Sequence, residues 1–447
     1  MLQNRQIFLP LEVFAREYLG KLALSVELLK SHFEVVIGHN HTVRALALEA
    51  KKESVFYEIK GESTLNMPHL SELKKKSVCL VGQDEEAGIS YSNFDDFRKF
   101  RPEVDNIQKF DHFFLWGEDD LSFYRTSSNH TNLQATGSPR SIFWGDFGTK
   151  FYEARELQDK RIRGKYLLVI TNFGAVNPIG DKREARRYSQ LSGYPDSYNE
   201  YMNQRKNWEI HAHKTVVRII NEILASTTYR IVLRPHPVEN VSKWENEFSG
   251  ETRVVISKVD DSIPVILGAE HVLHSGSTAG IESLLCNKST ISYSNIVKSK
   301  FFEMVADLFS VAPQSISELI EVLNSGERCL PKHGFEDVIK RKITMNGDVQ
   351  VLKLQARAIS EAQPNCELQT SQSNLEITEK SRKFVDKLTQ RFKYGKSSYE
   401  VINKSKRPTI LIPTVKHDLL RLSRQLDFEP RVDVLEVGES TFRLRVK

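Results

Sequence analysis

Cysteine is scarce in this chain of 447 residues: Cys79, Cys286, Cys329 and Cys366 are far apart and form no CxxC pair. That spacing argues against a zinc site and a disulfide framework, and suits reduced, partly buried thiols. Long apolar runs are also missing, since no stretch approaches the ~20 residues that a membrane-crossing helix needs. The opening MLQNRQIFLPLEVFARE lacks the apolar core and small-residue cleavage site of a signal peptide. A cytoplasmic location is expected. No recognisable nucleic-acid motif occurs, and no nucleic-acid partner is expected.

Charge of one sign is in small excess, +5 overall, and the excess is concentrated late, in the run from Lys380 to Arg407. Such a run serves as a solvated helix face or as a peripheral contact with the inner membrane. What is abundant is ordinary globular material, 40% hydrophobic and 27% charged residues. The length calls for two or three domains at roughly 150 residues each.

The order of elements sets the fold class. RQIFLP is a short strand stopped by Pro10, Leu11 to Lys30 carries Phe14, Tyr18, Leu22, Val26 and Leu29 at helical spacing, and FEVVIG is a second strand. Strand, helix, strand is a βαβ unit, the start of a Rossmann-like half. SVCLVG, HFFLWG and NLQATG supply further strands, each ending in glycine. A second α/β half begins at Tyr166 to Thr171. It continues through a helix in NWEIHAHKTVVRIINEILAST and strands YRIVL, TRVVIS, HVLHSG and TISYS, with helices at Asp261 to Leu267 and Ala279 to Leu285. The expected architecture is α/β, with two Rossmann-like domains facing a cleft: residues 1–160, residues 161–364, and a tail of residues 365–447. That tail comprises a linker, a basic helix and a terminal hairpin.

Ligands of open α/β sheets sit outside the carboxyl ends of the strands, which selects the candidate residues. Arg234, His236 and Pro237 follow one strand directly, in IVLRPHPVEN, and the prolines hold the loop extended. Ser275, Gly276, Ser277 and Thr278 follow another and open a helix carrying Glu282, an arrangement suited to phosphate or simply to helix capping. Thr171 and Asn172 end a third strand and would line the cleft opposite His236. Together they describe a nucleotide mono- or diphosphate pocket that requires no metal and no separate cofactor. In the first half, Asp84, Glu85 and Glu86 follow a strand, where mutual repulsion would raise one pKa enough for base or nucleophile work. His41 and Arg140, the latter in TGSPRS, are weaker candidates. A solvated turn is the bland alternative for the acids.

The stretches LPLEVFAREYLGKLALSVELLKSHFEVVIG, DEEAG, TGSPR, TNFG, RPHP and HSGSTAGIES, in this order over about residues 5 to 360, resemble the bacterial surface carbohydrate (surface polysaccharide) biosynthesis protein family. The resemblance implies a GT-B glycosyltransferase, similar to Kdo transferases and sialyltransferases that use CMP-activated sugars. By it, His236 and Pro237 match the HP motif whose histidine contacts the CMP phosphate. Ser275, Ser277 and Thr278 match the hydroxyl-rich turn that binds the same phosphate, and the carboxylate role falls on Glu85 or Glu86. Ala87, which separates the acids from Gly88, departs from that pattern. The implied reaction transfers a CMP-activated ulosonic acid, such as Kdo or a sialic acid, to a lipid-linked or oligosaccharide acceptor in lipopolysaccharide or capsule synthesis. Three alternatives remain open: a CDP-glycerol glycerophosphotransferase, a non-catalytic nucleotide-sugar or glycan-binding protein, and a UDP-sugar 2-epimerase-like enzyme.

Overall fold

The computed structural model describes residues 5–50, 53–58, 68–85, 88–93, 96, 104–127, 132–153, 157–179, 196–258, 261–298, 303–344, 347–363, 409–429 and 431–447. Glu86, Ala87, Cys366 and the basic run from Lys380 to Arg407 lie outside the described residues.

The first sheet is built from β1 (Gln6–Leu11), β2 (Glu34–His39), β3 (Val55–Glu58), β4 (Cys79–Gln83), β5 (His112–Leu115) and β6 (Leu133–Ala135). These strands are parallel, in the order β2-β1-β3-β4-β5-β6. Alternate residues of β1 serve opposite faces: Ile7, Leu9 and Leu11 join one apolar cluster and Phe8 another. Burial on both faces is why the strand has an apolar run rather than an apolar/polar alternation. Pro10 does not stop this strand, which continues to Leu11, and the helix α1 begins only at Phe14 (Phe14–Lys30). Among the described residues, β1 pairs beyond Phe8 with β2 alone, so one side of Pro10 needs no ladder bond there and the ring is tolerated.

The second sheet holds β7 (Leu167–Ile170), β8 (Ile231–Arg234), β9 (Val254–Ile256), β10 (His271–His274) and β11 (Ser289–Ser292). All are parallel, in the order β11-β10-β7-β8-β9. Counted from β7, this is the 3-2-1-4-5 order of a mononucleotide-binding sheet, with its switch point between β7 and β10. The long helix before β8 runs from Asp196 to Ser226, starting earlier than its apolar face suggested.

The chain then returns. The helix Gln350–Glu361 packs on α1, and its buried Gln355 donates to Gln83 Oε1 (3.2 Å), Thr136 Oγ1 (3.0 Å) and the Gly137 carbonyl (3.0 Å). The terminal hairpin is present as β12 (Val432–Gly438) and β13 (Thr441–Val446), and β13 pairs antiparallel with β2, extending the first sheet to eight strands. One apolar cluster contains residues of both sheets, including Leu9, Val35, Leu168 and Val272. Two Rossmann-like units on one chain are thus joined by a shared core.

Candidate functional site

At the carboxyl edge of the second sheet, the loops after β7 and β8 are tied together by a buried carboxylate. Glu239 is fully buried and accepts hydrogen bonds from Thr171 Oγ1 (2.8 Å), the His236 backbone N–H (2.9 Å) and Trp244 Nε1 (2.9 Å). With its oxygens occupied inside, Glu239 fixes the RPHP loop and leaves the His236 ring exposed at the sheet edge. His236 Nδ1 accepts from the Val238 N–H at 3.3 Å. Lys258, just beyond β9, reaches the carbonyls of Glu239 (2.5 Å) and Pro237 (3.4 Å). Burial pushes its ammonium down to about 8, against the pull of Glu239 and with a push from Arg234. The TNFG loop is anchored from the long helix, where Arg205 donates to Asn172 Oδ1 (3.4 Å) and Glu209 accepts from the Ala175 N–H (2.8 Å).

Across the switch point, the turn after β10 has Gly276 at φ +56°, in the left-handed region, with its N–H bonded to Asp307 Oδ1 at 3.0 Å. Asp307 also accepts from Ser292 Oγ (2.6 Å) and lies 3.6 Å from Nδ1 of His274. His274 is fully buried, and burial lowers its pKa against the opposing pull of Asp307. The Ser277 hydroxyl is spent as the N-cap of the helix Thr278–Leu285, accepting from the Gly280 N–H at 3.2 Å. Thr278 Oγ1 lies 2.9 Å from Ser90 Oγ in the first half. Ser275 is half-buried. Glu282 accepts from Ser262 Oγ (2.8 Å) and from Arg140 (3.3 Å), so its carboxylate is engaged inside the protein.

The segment that follows the acidic turn of the first half meets this turn through Ser90 and Thr278, and Arg140 links Glu85 to Glu282. Asp84 and Glu85 are buried behind β4, and the Asp84 carbonyl accepts from Trp116 Nε1 at 2.8 Å. Glu85 Oε1 is 2.9 Å from Lys21 Nζ. The Arg140 guanidinium sits 5.3 Å from the Trp116 ring and 5.1 Å from the Trp144 ring, and reaches both the Glu85 carbonyl (3.5 Å) and Glu282. Ser92 donates to the Glu303 carbonyl (2.9 Å) and to Glu303 Oε2 (2.7 Å). The carboxyl edges of the two sheets therefore face each other, the GT-B arrangement. His41 is exposed near the start of the helix Asn40–Leu48.

The structure thus gathers the predicted residues into two groups. Thr171, Asn172, Arg234, His236 and Pro237 cluster around β7 and β8, while Arg140, Thr278 and Glu282 make contacts between the halves and Asp84 and Glu85 are held within the first half, by Trp116 and by Lys21 and Arg140. Glu239, Lys258, His274 and Lys21 were not anticipated. Glu239 and Lys258 had a usable signal, since each follows a strand end by a few residues. Lys21 and His274 had none, lying within an apolar helix and strand.

Among the described residues, no His, Cys, Asp or Glu cluster is placed to hold a metal ion, and no helix is long and apolar enough to cross a membrane.

No protein-family description matches the chain, and no curated protein matches it. Solved structures do. The UDP-GlcNAc 2-epimerase of Methanocaldococcus jannaschii, in complex with UDP-GlcNAc and UDP, is similar at 12% identity and a TM-score of 0.44, over 80% of this chain and 99% of that one. The S. aureus MnaA–UDP structure is similar at 11% identity and a TM-score of 0.46, over 84% and 100% of the two chains. The wall teichoic acid polymerase TagF soaked with CDPG is similar at 9% identity and a TM-score of 0.47, over 80% and 88%.

Proposed function

We propose that the chain is a GT-B transferase of bacterial surface polysaccharide synthesis, with a nucleotide-activated donor at the carboxyl edge of the second sheet and a glycan acceptor on the first domain. The observation that carries this reading is the lock of Thr171 and His236 onto buried Glu239. It presents an ordered imidazole, with Arg234 and Lys258 close by, at the edge where a mononucleotide-binding sheet takes its phosphate. A cationic strand edge, together with the backbone of the Gly276 turn, suits the phosphate of a donor.

In this mechanism His236 hydrogen-bonds or protonates the departing phosphate, Arg234 and Lys258 neutralise its charge, and a carboxylate of the turn at residues 84–86 takes the acceptor proton. The donor is a CMP-linked ulosonic acid, Kdo or a sialic acid. A second reading is transfer of phosphoglycerol from CDP-glycerol, favoured by Lys258, which adds a second cation beside Arg234 and so suits a diphosphate. Calorimetry with CMP, CDP, UMP, UDP and GDP tests the site. CMP should bind, and His236→Ala should weaken it about tenfold or more. Preference for UDP or GDP removes the CMP donor, and no binding by any nucleotide removes the transferase reading. Mass analysis of the transferred group separates sugar from phosphoglycerol.

A further inference from the structure

Where the first sheet's carboxyl edge meets the second half, six charged side chains lie almost wholly out of water: Glu17 (1% exposed), Lys21 (1%), Glu58 (0%), Glu85 (4%), Arg140 (8%) and Glu282 (7%). Buried ion pairs are poor sources of stability, because desolvation offsets most of the Coulomb gain and apolar replacements of similar volume are often as stable. Such a cluster calls for another explanation than folding.

Lys21 is its centre. It lies in the middle of α1 with Leu22, Ala23 and Leu24 buried around it, a position where an apolar side chain is the ordinary choice. Its ammonium is 2.9 Å from Glu85 Oε1 and 3.3 Å from the centroid of the Tyr57 ring. The other two acids near it have donors of their own. Glu17 is held by Arg16 (2.9 Å) and the Glu12 N–H (2.7 Å), and Glu58 by Arg44 (2.9 Å) and His69 Nε2 (2.8 Å). Lys21 is therefore committed to Glu85.

We propose that Lys21 is the positioning residue of the reaction, its ammonium 2.9 Å from Glu85 Oε1 holding that carboxylate in place inside the protein so that it can take the acceptor's proton. This rests on the transferase reading above. As the acceptor oxygen bonds to the anomeric carbon of the donor, the bond from that carbon to the phosphate oxygen breaks with its electron pair going to the phosphate. The hydroxyl proton passes to Glu85. Among the described residues, the groups that face Glu85 are Lys21 and Glu17 from α1, Tyr57 from β3 and Arg140 from the turn Pro139–Trp144. Burial and the Glu85 charge hold the Tyr57 hydroxyl well above its usual range, so it stays neutral, and Lys21 is the cation in direct contact with the carboxylate.

The test compares Lys21→Met, Glu85→Gln and the double variant in the full-length chain, by thermal unfolding from about pH 5 to about pH 9 and by CMP release from CMP-sialic acid across the same range. Lys21→Met should lose stability chiefly at high pH, where its carboxylate is charged and unpaired, and regain it on acidification. Adding Glu85→Gln should restore much of the loss. In Lys21→Met the acidic limb of CMP release should move up by about one pH unit or more, and the double variant should be folded with no release. Additive unfolding losses, or an acidic limb that stays in place in Lys21→Met, overturn the proposal. Wild type that releases no CMP from CMP-sialic acid removes that donor instead, and the unfolding cycle still decides whether Lys21 is the partner that holds the Glu85 carboxylate.

Discussion

Arg140 and Glu282, one from each half of the chain, meet at 3.3 Å with both side chains at least nine-tenths buried. Arg140 is flanked by two tryptophan rings and Glu282 is completed by Ser262, so removing either partner leaves a buried charge without compensation. Arg140→Ala should cost about 3–5 kcal/mol in urea unfolding, and Arg140→Lys should recover little because a lysine cannot span the rings and two acceptors as a planar fork does. A loss below about 1 kcal/mol in Arg140→Ala would show that the pair is dispensable.

Glu239 is the corresponding prediction for the second sheet. Glu239→Gln keeps the size but removes the charge and one acceptor from a group that serves Thr171, His236 and Trp244. The expected cost is about 2–3 kcal/mol in stability, together with weaker nucleotide binding as the RPHP loop loses its anchor. Unchanged binding of CMP by Glu239→Gln in calorimetry would mean that the loop holds its shape without it.

Asp120 gives a pH dependence. Burial lifts its carboxyl from the ordinary 3.8 to about 7, opposed by the Trp116 N–H and by Lys342. Between those values the folded protein keeps a proton that the unfolded chain has released, so this residue makes stability fall as pH rises and its effect levels off above about 7. Asp120→Asn should therefore gain on wild type as pH rises, by an amount on the order of 1–3 kcal/mol above neutrality. Melting curves at acidic and at alkaline pH that differ equally in the two proteins would count against a buried, protonated Asp120.

Much of the fold is legible because parallel strands buried on both faces announce themselves as apolar runs. IFLPL, LLVI, IVLR and HVLH all fall in strands at or near the expected positions. The strand VFYE at Val55–Glu58 escaped notice, since four residues ending in an acid carry no periodicity. For the site, strand-end logic located Arg234, His236 and Ser275 to Thr278, because a parallel sheet delivers whatever follows its strands to one edge.

That logic does not say which side chains are consumed in holding the loops. Ser277 is a helix cap for Gly280, and Glu282 belongs to an interdomain pair with Arg140, a partner far away in the chain. Local periodicity and the residues after each strand determined the class of fold and the sheet edge at which the candidate residues gather. The partners of the buried charges were decided only by tertiary structure, because a charge out of water is governed by the nearest opposite charge in space, and sequence distance carries no trace of that.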